Sequence, residues 1–415
     1  MSAAPVLADR GRAGPPLRTR HVRRHGGTTG VVQLVCLEVA AVALIAASLT
    51  GDPVVIAAVG VGVAVLLAAV LGRVDGRWLY EEAGARRRIR QRRAEQARAV
   101  AAVRRGSTGA TGAEPLAILA PDCSIIAVAD RGRTIGVGSD DDGWFAGLAV
   151  GSLAEVTGAA SPSISLDQLA RMLEESSVPL SVLQLVIYSA PAAGGLINDK
   201  SSAKAALPVR SYLELLGPQA CPVEQAVWLA VRLRPDDAID AAQSRGGGVE
   251  GVHRALAAAI GRIEKTLSAA YVRHRVLDAD GLRRALAHAC GIDLATPLAD
   301  AGGSVRERWA SFTAGGLAHA SFTVTRWPPS ADPTLLAELA RIPARAVNVS
   351  LSVRRNGDRI AFSGVVRIVN PPDRLRTGVR GLTRTAGRLG VRVRRLDGEQ
   401  APAVYASAPT GGGAW

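Results

Sequence analysis

Two apolar runs near the start of the chain decide its architecture. Val31–Leu49 reads VVQLVCLEVAAVALIAASL and Pro53–Leu71 reads PVVIAAVGVGVAVLLAAVL, with only Thr50, Gly51 and Asp52 between them. At about 1.5 Å per helical residue, each run is just long enough to cross a hydrocarbon core of about 30 Å. Residues 31–71 therefore predict a transmembrane hairpin of two helices.

The placement of arginines predicts how this hairpin is oriented. Six arginines precede it, eleven lie between Arg73 and Arg105, and the connecting loop has none. Positively charged flanks stay on the cytoplasmic side, so both ends are expected in the cytoplasm, with residues 1–30 forming a basic tail beneath the plasma (inner) membrane. A cleaved signal peptide fits poorly, because its apolar core would be shorter and no second span would follow at once.

The basic character of the chain belongs mainly to these membrane flanks. Residues 1–110 hold 17 arginines and 7 acidic residues, whereas the rest holds 33 basic and 29 acidic residues. A net charge of +14 would otherwise favour a nucleic-acid partner. The aromatic content is only 4%, and arginines and aromatic residues do not interleave as base stacking requires. No nucleic-acid partner is expected.

Residues 72–105 predict a basic juxtamembrane helix that continues from the second span. Each basic side chain near anionic head groups contributes on the order of 1 kcal/mol, and aromatic residues are typical of this depth. The candidate head-group contacts are Arg77, Trp78, Tyr80, Arg86, Arg87, Arg88 and Arg90. A general positive-inside signal, with no specific lipid or partner site, explains the same arginines equally well.

Two features within the spans point to contacts with another membrane helix. Gly60, Ala64, Ala68 and Gly72 recur every four residues, which lets a second helix approach closely, although small residues are common throughout this chain. A carboxyl group such as Glu38 costs roughly 2.5 to 3.5 kcal/mol within a span unless it is protonated, paired or hydrated. These five residues are the candidate membrane-assembly contacts, with a shallow, hydrated Glu38 as the alternative.

Beyond the membrane, the chain predicts a cytoplasmic α/β (α+β) domain over residues 115–400. A linker rich in glycine, serine and threonine precedes it at residues 106–114. Residues 401–415, rich in alanine, glycine and proline, are expected to form a flexible tail.

Two stretches of this domain share the order β-α-β-β-α-β, which is that of the split β-α-β unit. In the first, strands are predicted at Trp144–Val150, Ser181–Tyr188, Ala226–Leu233 and Arg275–Leu277, with helices at Leu166–Glu175 and Glu250–Ala270. In the second, strands are predicted at Ser321–Trp327, Val347–Arg355, Arg359–Val369 and Val391–Leu396, with helices at Pro333–Arg341 and Arg374–Leu389. Two related subdomains, 115–300 and 315–400, are a possible arrangement.

Motifs for catalysis or cofactor binding are weak. Gly194–Ser201 has the outline of a phosphate-binding loop but places Asp199 where the second glycine belongs. The glycines at 246–248 precede a helix, yet Glu250 in its first turn already interacts favourably with the dipole there. The histidines share no metal spacing, and no G-x-S-x-G, H-E-x-x-H or kinase motif occurs. We expect no catalytic residue, no cofactor and no metal.

Asp140, Asp141 and Asp142 offer the one argument for an enzyme. Three adjacent carboxylates could bind a divalent ion, but such a run is typical of a solvated turn, and metal ligands must converge from several places. The four cysteines are scattered without a C-x-x-C pair, as in a reducing compartment. A membrane-anchored, glycosyltransferase-like enzyme acting on an envelope precursor therefore stays as the alternative function.

Several local strings follow the hairpin in a recognisable order. They are Gly76–Tyr80 (GRWLY), Asp142–Phe145 (DGWF), Arg210–Leu216 (RSYLELL), Trp228–Leu233 (WLAVRL), Leu277–Leu282 (LDADGL) and Arg326–Pro328 (RWP). With the basic tail and the hairpin, they resemble the EccE family, a membrane component of the actinobacterial type VII (ESX) secretion system, over nearly the full length.

The resemblance implies a non-catalytic, structural subunit of a multiprotein channel in the plasma membrane. Its implied partners are EccB, the FtsK-like ATPase EccC and the many-spanning EccD, with the mycosin protease associated. The family supplies no enzymatic residues to transfer to this chain. Glu38, the small-residue face and the cytoplasmic domain become candidate assembly surfaces.

Overall fold

A computed structural model describes residues 31–74, 77–104, 115–151, 164, 166–191, 223–294, 305–328, 334–356 and 359–412. The basic tail predicted at residues 1–30, the linker at 106–114 and the phosphate-loop outline at Gly194–Ser201 lie outside these residues.

The two apolar runs form helices α1 (Val31–Leu49) and α2 (Pro53–Leu71), which pack against each other as a hairpin. The Asp52 side chain accepts a hydrogen bond from the Val54 N–H at 2.8 Å and caps α2. Within the described residues, α2 alone is long and apolar enough to span a membrane, and Gln33–Leu49 of α1 is shorter. The helical hairpin is present, and its transmembrane character stays a prediction.

A short ribbon separates the hairpin from the basic helix. Strand β1 (Arg73–Val74) pairs with β2 (Arg77–Trp78), and helix α3 (Leu79–Arg104) follows. The prediction that the basic helix continues the second span is wrong, because Gly72 ends α2 with an extended backbone (φ −64°, ψ 136°) that redirects the chain.

One sheet of twelve strands organises the remaining described residues. The strands are β3 (Ser124–Asp130), β4 (Arg133–Asp140), β5 (Gly143–Val150), β6 (Val182–Pro191), β7 (Val223–Leu233), β8 (His274–Val276), β9 (Arg306–Glu307), β10 (Phe312–Ala314), β11 (Leu317–Arg326), β12 (Ala346–Asn356), β13 (Arg359–Asn370) and β14 (Arg392–Arg395). The helices are α4 (Leu166–Glu174), α5 (Pro235–Gln243), α6 (Gly248–Ala269), α7 (Ala279–Cys290), α8 (Thr334–Ala340), α9 (Leu375–Arg388) and α10 (Gln400–Ala406). Helices and an antiparallel sheet confirm the α+β class.

The two halves of the sheet have the same strand order. The path runs β3-β4-β5-β7-β6-β12-β13-β11-β10-β9, with β8 added to β5 and β14 added to β11. The first half therefore reads β8-β5-β7-β6 and the second reads β14-β11-β13-β12. Antiparallel pairing of β6 with β12, from Ser189↔Val347 to Val182↔Arg354, joins them into one sheet. The proposed division into two subdomains stays a prediction.

The two faces of the sheet differ in character, because side chains alternate along each strand. Leu185, Leu229 and Leu351 belong to a large apolar core shared with helices α4, α5, α6, α8 and α9. On the other face, the central strands carry buried polar residues such as Gln184 and Arg232. Helices α7 and α10 cover this second face towards its two sides.

The prediction of a flexible tail is wrong for residues 401–412. Gln400, Ala403 and Val404 of α10 are fully buried, and so is Ala408 beyond it. Gln184 donates to the Ala406 carbonyl and accepts from the Gly411 N–H, both at 2.8 Å. Polar side chains of the sheet thus form hydrogen bonds with backbone groups of this segment. The amino-acid composition of the segment did not indicate that it would be buried.

Candidate assembly surfaces

The outer side of the hairpin carries the predicted membrane-assembly residues. Glu38 is exposed on α1, and Ala64 and Ala68 are exposed on α2, while Gly60 and Gly72 are half-buried. The packed side of the hairpin instead uses Ala40 and Ala47 on α1 and Val63 and Val70 on α2. The part of the small-residue face formed by Ala64 and Ala68 therefore turns away from α1.

The hairpin also exposes many large apolar side chains. They include Leu34, Val39, Val42, Ile45 and Leu49 on α1 and Val54, Val61 and Val65 on α2. A soluble surface rarely presents so much contiguous apolar area. This surface is suited to lipid or to another apolar helix, and Glu38 is the one acidic residue within helices α1 and α2.

Helix α3 is held against the edge of the sheet by an ion pair. Arg92 donates to both carboxylate oxygens of Glu307, at 2.9 and 3.0 Å, and to the Gly398 carbonyl at 2.7 Å. The Glu307 side chain is only 3% exposed, and it also accepts from the Ala401 N–H at 3.1 Å. A buried carboxylate held by a two-pronged guanidinium is among the stronger charged contacts in proteins.

Further side chains of α3 line the same edge. Arg93 donates to the Glu307 carbonyl at 2.9 Å, and Gln96 donates to the Val305 carbonyl at 3.0 Å. Arg88 pairs with Glu399 at 3.1 Å. The hydrogen bonds from Arg93 and Gln96 satisfy carbonyls at the β9 edge, which would otherwise be open to another strand.

The predicted head-group residues divide into two groups. Arg86 lies over the Trp309 ring, 5.7 Å from its centroid, and Arg88 faces Glu399, so both contact protein. Arg87 and Arg90 are exposed. The side chains of Arg77, Trp78 and Tyr80 lie outside the described residues. Contact with lipid head groups stays a prediction, supported by exposure at Arg87 and Arg90.

Asp140 forms an ion pair with Arg232 on the polar face of the sheet. Its two carboxylate oxygens accept from the Arg232 guanidinium at 2.6 and 2.8 Å, and Tyr405 donates to it at 2.9 Å. Burial disfavours the charge of Arg232, but Asp140 outweighs that effect, so the pKa of Arg232 is raised. The interpretation of Asp140 as part of a solvated turn is wrong, because Arg232 lies beneath it.

A second buried arginine lies on the other half of the sheet. Arg367 donates to His319 at 2.9 Å, to Ser407 at 3.1 Å and to the Ala289 carbonyl. Burial, together with Arg367, holds the pKa of His319 well below its usual value. This imidazole therefore accepts from Arg367 as a neutral group, and the arrangement joins α7, β11, β13 and the segment after α10.

Both arginine clusters join strands of the sheet to the segment that covers them. The described residues contain no group of three or more histidine, cysteine or acidic side chains placed to hold a metal ion. Burial raises the pKa of the Cys290 thiol to about 12, which leaves it protonated and unreactive.

No local sequence pattern predicts the contacts made by α3. Arg92, Arg93 and Gln96 sit in a run of basic and polar residues that suits a solvated helix, and Glu307 and Glu399 lie more than 200 residues away. A helix that is polar on every side is itself a weak sign of such bridging. This pattern does not identify the acidic residues that pair with α3.

Residues 221–324 match the EccE family. That family is described as "Putative type VII ESX secretion system translocon, EccE". The matched segment runs from β7 to β11 and includes both Arg232 and Glu307. The resemblance to EccE is confirmed over this segment. No curated protein matches the chain.

Proposed function

We propose that this chain is a non-catalytic assembly subunit of a type VII (ESX) secretion complex in the plasma membrane. The observation that carries the proposal is the match of residues 221–324 to EccE. The apolar outer surface of the α1–α2 hairpin supports membrane anchoring. The hairpin is two-pass, and the sheet domain and the N-terminal end lie in the cytoplasm, as the arginine flanks favour.

The proposed partners are the other membrane components of such a complex, namely EccB, the ATPase EccC and the many-spanning EccD, with a mycosin protease associated. Glu38 is exposed on an apolar helix surface, where a carboxylate is costly without a partner. Contact with a polar group of a neighbouring membrane protein would remove that cost. The exposed Ala64 and Ala68 allow a second helix to approach α2.

Affinity purification of the tagged full-length chain from its native membrane, in mild detergent, tests the proposal. Mass spectrometry and sizing are expected to recover it in a large complex with an FtsK-like ATPase and a many-spanning protein. Recovery as a small particle without these proteins would contradict it. Glu38→Leu is expected to reduce recovery of the partners, with Val42→Leu, on the exposed side of the same helix, as the matched control.

The alternative function is that of a membrane-anchored enzyme that would use Asp140, Asp141 and Asp142. Asp140 is committed to Arg232 through both oxygens, so the three aspartates do not converge as metal ligands. The double variant Asp141→Ala, Asp142→Ala tests this alternative while it keeps both hydrogen bonds between Asp140 and Arg232. Secretion is expected to continue in that variant, whereas its loss with partner recovery intact would favour the enzyme.

A further inference from the structure

Strand β3 forms one end of the twelve-stranded sheet and has an unusually apolar edge. It reads SIIAVAD from Ser124 to Asp130, with no basic residue and no proline. Within the described residues it pairs with β4 alone. Natural proteins normally protect such an edge with lysine, proline, a bulge or a covering helix. At the opposite end of the sheet, α3 gives β9 that protection.

The turn after β3 fixes which backbone groups point outwards. Arg131 and Gly132 have φ angles of 48° and 82°, as in a type I′ two-residue hairpin turn. Asp130 and Arg133 flank this turn as a hydrogen-bonded pair. By alternation, Val128 and Ile126 also turn their N–H and C=O groups towards β4.

Ile125, Ala127 and Ala129 consequently direct their backbone groups away from β4. Arg283 of α7 donates to the Ile125 carbonyl at 2.8 Å, which agrees with this assignment. A backbone carbonyl has two lone pairs, so that of Ile125 can accept a second hydrogen bond from a partner strand. Ala127 and Ala129 are both exposed. Ile126 is 45% exposed although Val128, two positions along the same face, packs on the main core. The edge thus combines outward backbone groups with an incompletely covered apolar side chain.

We propose that β3 pairs with β3 of a second copy of this chain, in antiparallel register about a two-fold axis at Ala127. The pairing places Ala127 opposite its own copy, Ile126 opposite Val128 and Ser124 opposite Asp130. Continuous sheet then runs from one copy into the other, and Ile126 becomes covered by the partner strand.

Charge favours a second copy over an unrelated strand. In this register the exposed Asp122 of one copy comes beside Arg131 and Gly132 of the other, so opposite charges meet at both ends. The middle of the strand, Ile125 to Ala129, carries no charge, and no like charges oppose each other. The chain already joins two antiparallel edges in this way where β6 meets β12.

Disulfide trapping in native membranes tests the register. Across the axis, the two Ala127 Cα atoms would lie about 5.5 Å apart, within disulfide range. The two Ala129 Cα atoms would lie about 14 Å apart, because four residues separate them along the strands. Under mild oxidation, Ala127→Cys is expected to give a covalent dimer above the background of the unsubstituted chain, and Ala129→Cys is not.

A second variant tests the association without trapping. Ala127→Pro removes an N–H that points away from β4, so the β3–β4 ladder keeps its bonds. In detergent, the mass of the purified full-length chain is expected to fall from two copies to one, with an unchanged melting temperature. Equal trapping of both cysteine variants, trapping of neither, or a dimer that survives Ala127→Pro would each overturn the proposal.

Discussion

Two buried guanidinium groups, those of Arg232 and Arg367, connect the polar face of the sheet to the segment that covers it. Arg232 donates to the Thr410 carbonyl at 2.7 Å, and Arg367 donates to Ser407 at 3.1 Å. They lie on β7 and β13, strands that hold equivalent positions in the two halves of the sheet. Each arginine stabilises the fold only as long as its acceptors stay in place, since a buried unpaired charge is costly.

Replacing Asp140 by alanine is expected to lower the free energy of unfolding by about 3 to 5 kcal/mol, since the guanidinium of Arg232 would be left buried without its carboxylate. Denaturant unfolding of the purified chain measures the loss. Asp142→Ala is the matched control, because Asp142 is exposed in the same turn. Equal losses of unfolding free energy in the two variants would show that the ion pair contributes no more to stability than the exposed Asp142 does.

Acid is expected to destabilise the fold through His319. The pKa of this buried imidazole lies well below its usual 6.5. Below about pH 6.5 the unfolded chain takes up a proton that the folded chain does not, so stability falls as the pH is lowered, by up to about 1.4 kcal/mol per pH unit. Melting temperatures from pH 7 to pH 5 should fall less steeply in His319→Gln than in the unsubstituted chain. An identical slope would contradict the assignment.

At the scale of single elements, α3 links the hairpin to the sheet. The helix leaves the β1–β2 ribbon and lies along β9 and the loop at Gly398, held chiefly by Arg92 and Glu307. Arg87 and Arg90, in the same helix, are exposed. One side of α3 therefore contacts protein, and another side is exposed.

Removal of Arg92 is expected to release α3 from the sheet. Limited trypsin digestion of the full-length chain in detergent measures this, because α3 contains many arginines. Arg92→Ala should be cut several-fold faster within residues 86–104, since an unpaired Glu307 disfavours the docked position. Arg90→Ala is the matched control. It also removes one trypsin site, and the exposed Arg90 makes none of the contacts described for Arg92. Equal cutting of the two variants would show that Arg92 does not hold the helix.

Elements with a local pattern were predictable from the sequence. The strand predicted at Val347–Arg355 is Ala346–Asn356, and the helix predicted at Arg374–Leu389 is Leu375–Arg388. Alternating and helical periodicities carry this information directly. Helix α5 was missed because it is short and directly follows a strand. Residues 401–412 were misjudged because their partners, such as Gln184, are distant in sequence.

The candidate site was predictable in part. Glu38, Ala64 and Ala68 were predicted from their chemistry in an apolar run, and they are exposed as an assembly surface requires. The contacts of α3 were not predictable, because ion pairs across more than 200 residues leave no trace in local composition.

Across the whole molecule, the two halves of the sheet share features that favour their unfolding as one unit. The large apolar core includes Leu256 from the first half and Leu339 from the second, both fully buried. The β6–β12 pairing runs through the middle of the sheet. A shared core and a continuous ladder favour a single cooperative unit.

Calorimetry of the full-length chain in detergent is therefore expected to show one transition for the sheet domain. Leu256→Ala and Leu339→Ala each leave a cavity costing about 2 to 5 kcal/mol. Both variants should shift that same transition to lower temperature. Two transitions, each sensitive to only one of the variants, would instead establish the halves as independent subdomains.

The burial of residues 400–412 also bears on how the protein is made. This segment follows all fourteen strands of the described residues, yet its backbone supplies acceptors for Arg232 on β7 and for Gln184 on β6. While the ribosome is still elongating the chain, those two side chains lack these partners, even if the hairpin has already entered the bilayer. The polar face of the sheet is then completed only after residues 400–412 have been synthesised, and nascent chains truncated before Gln400 would carry an incomplete polar face.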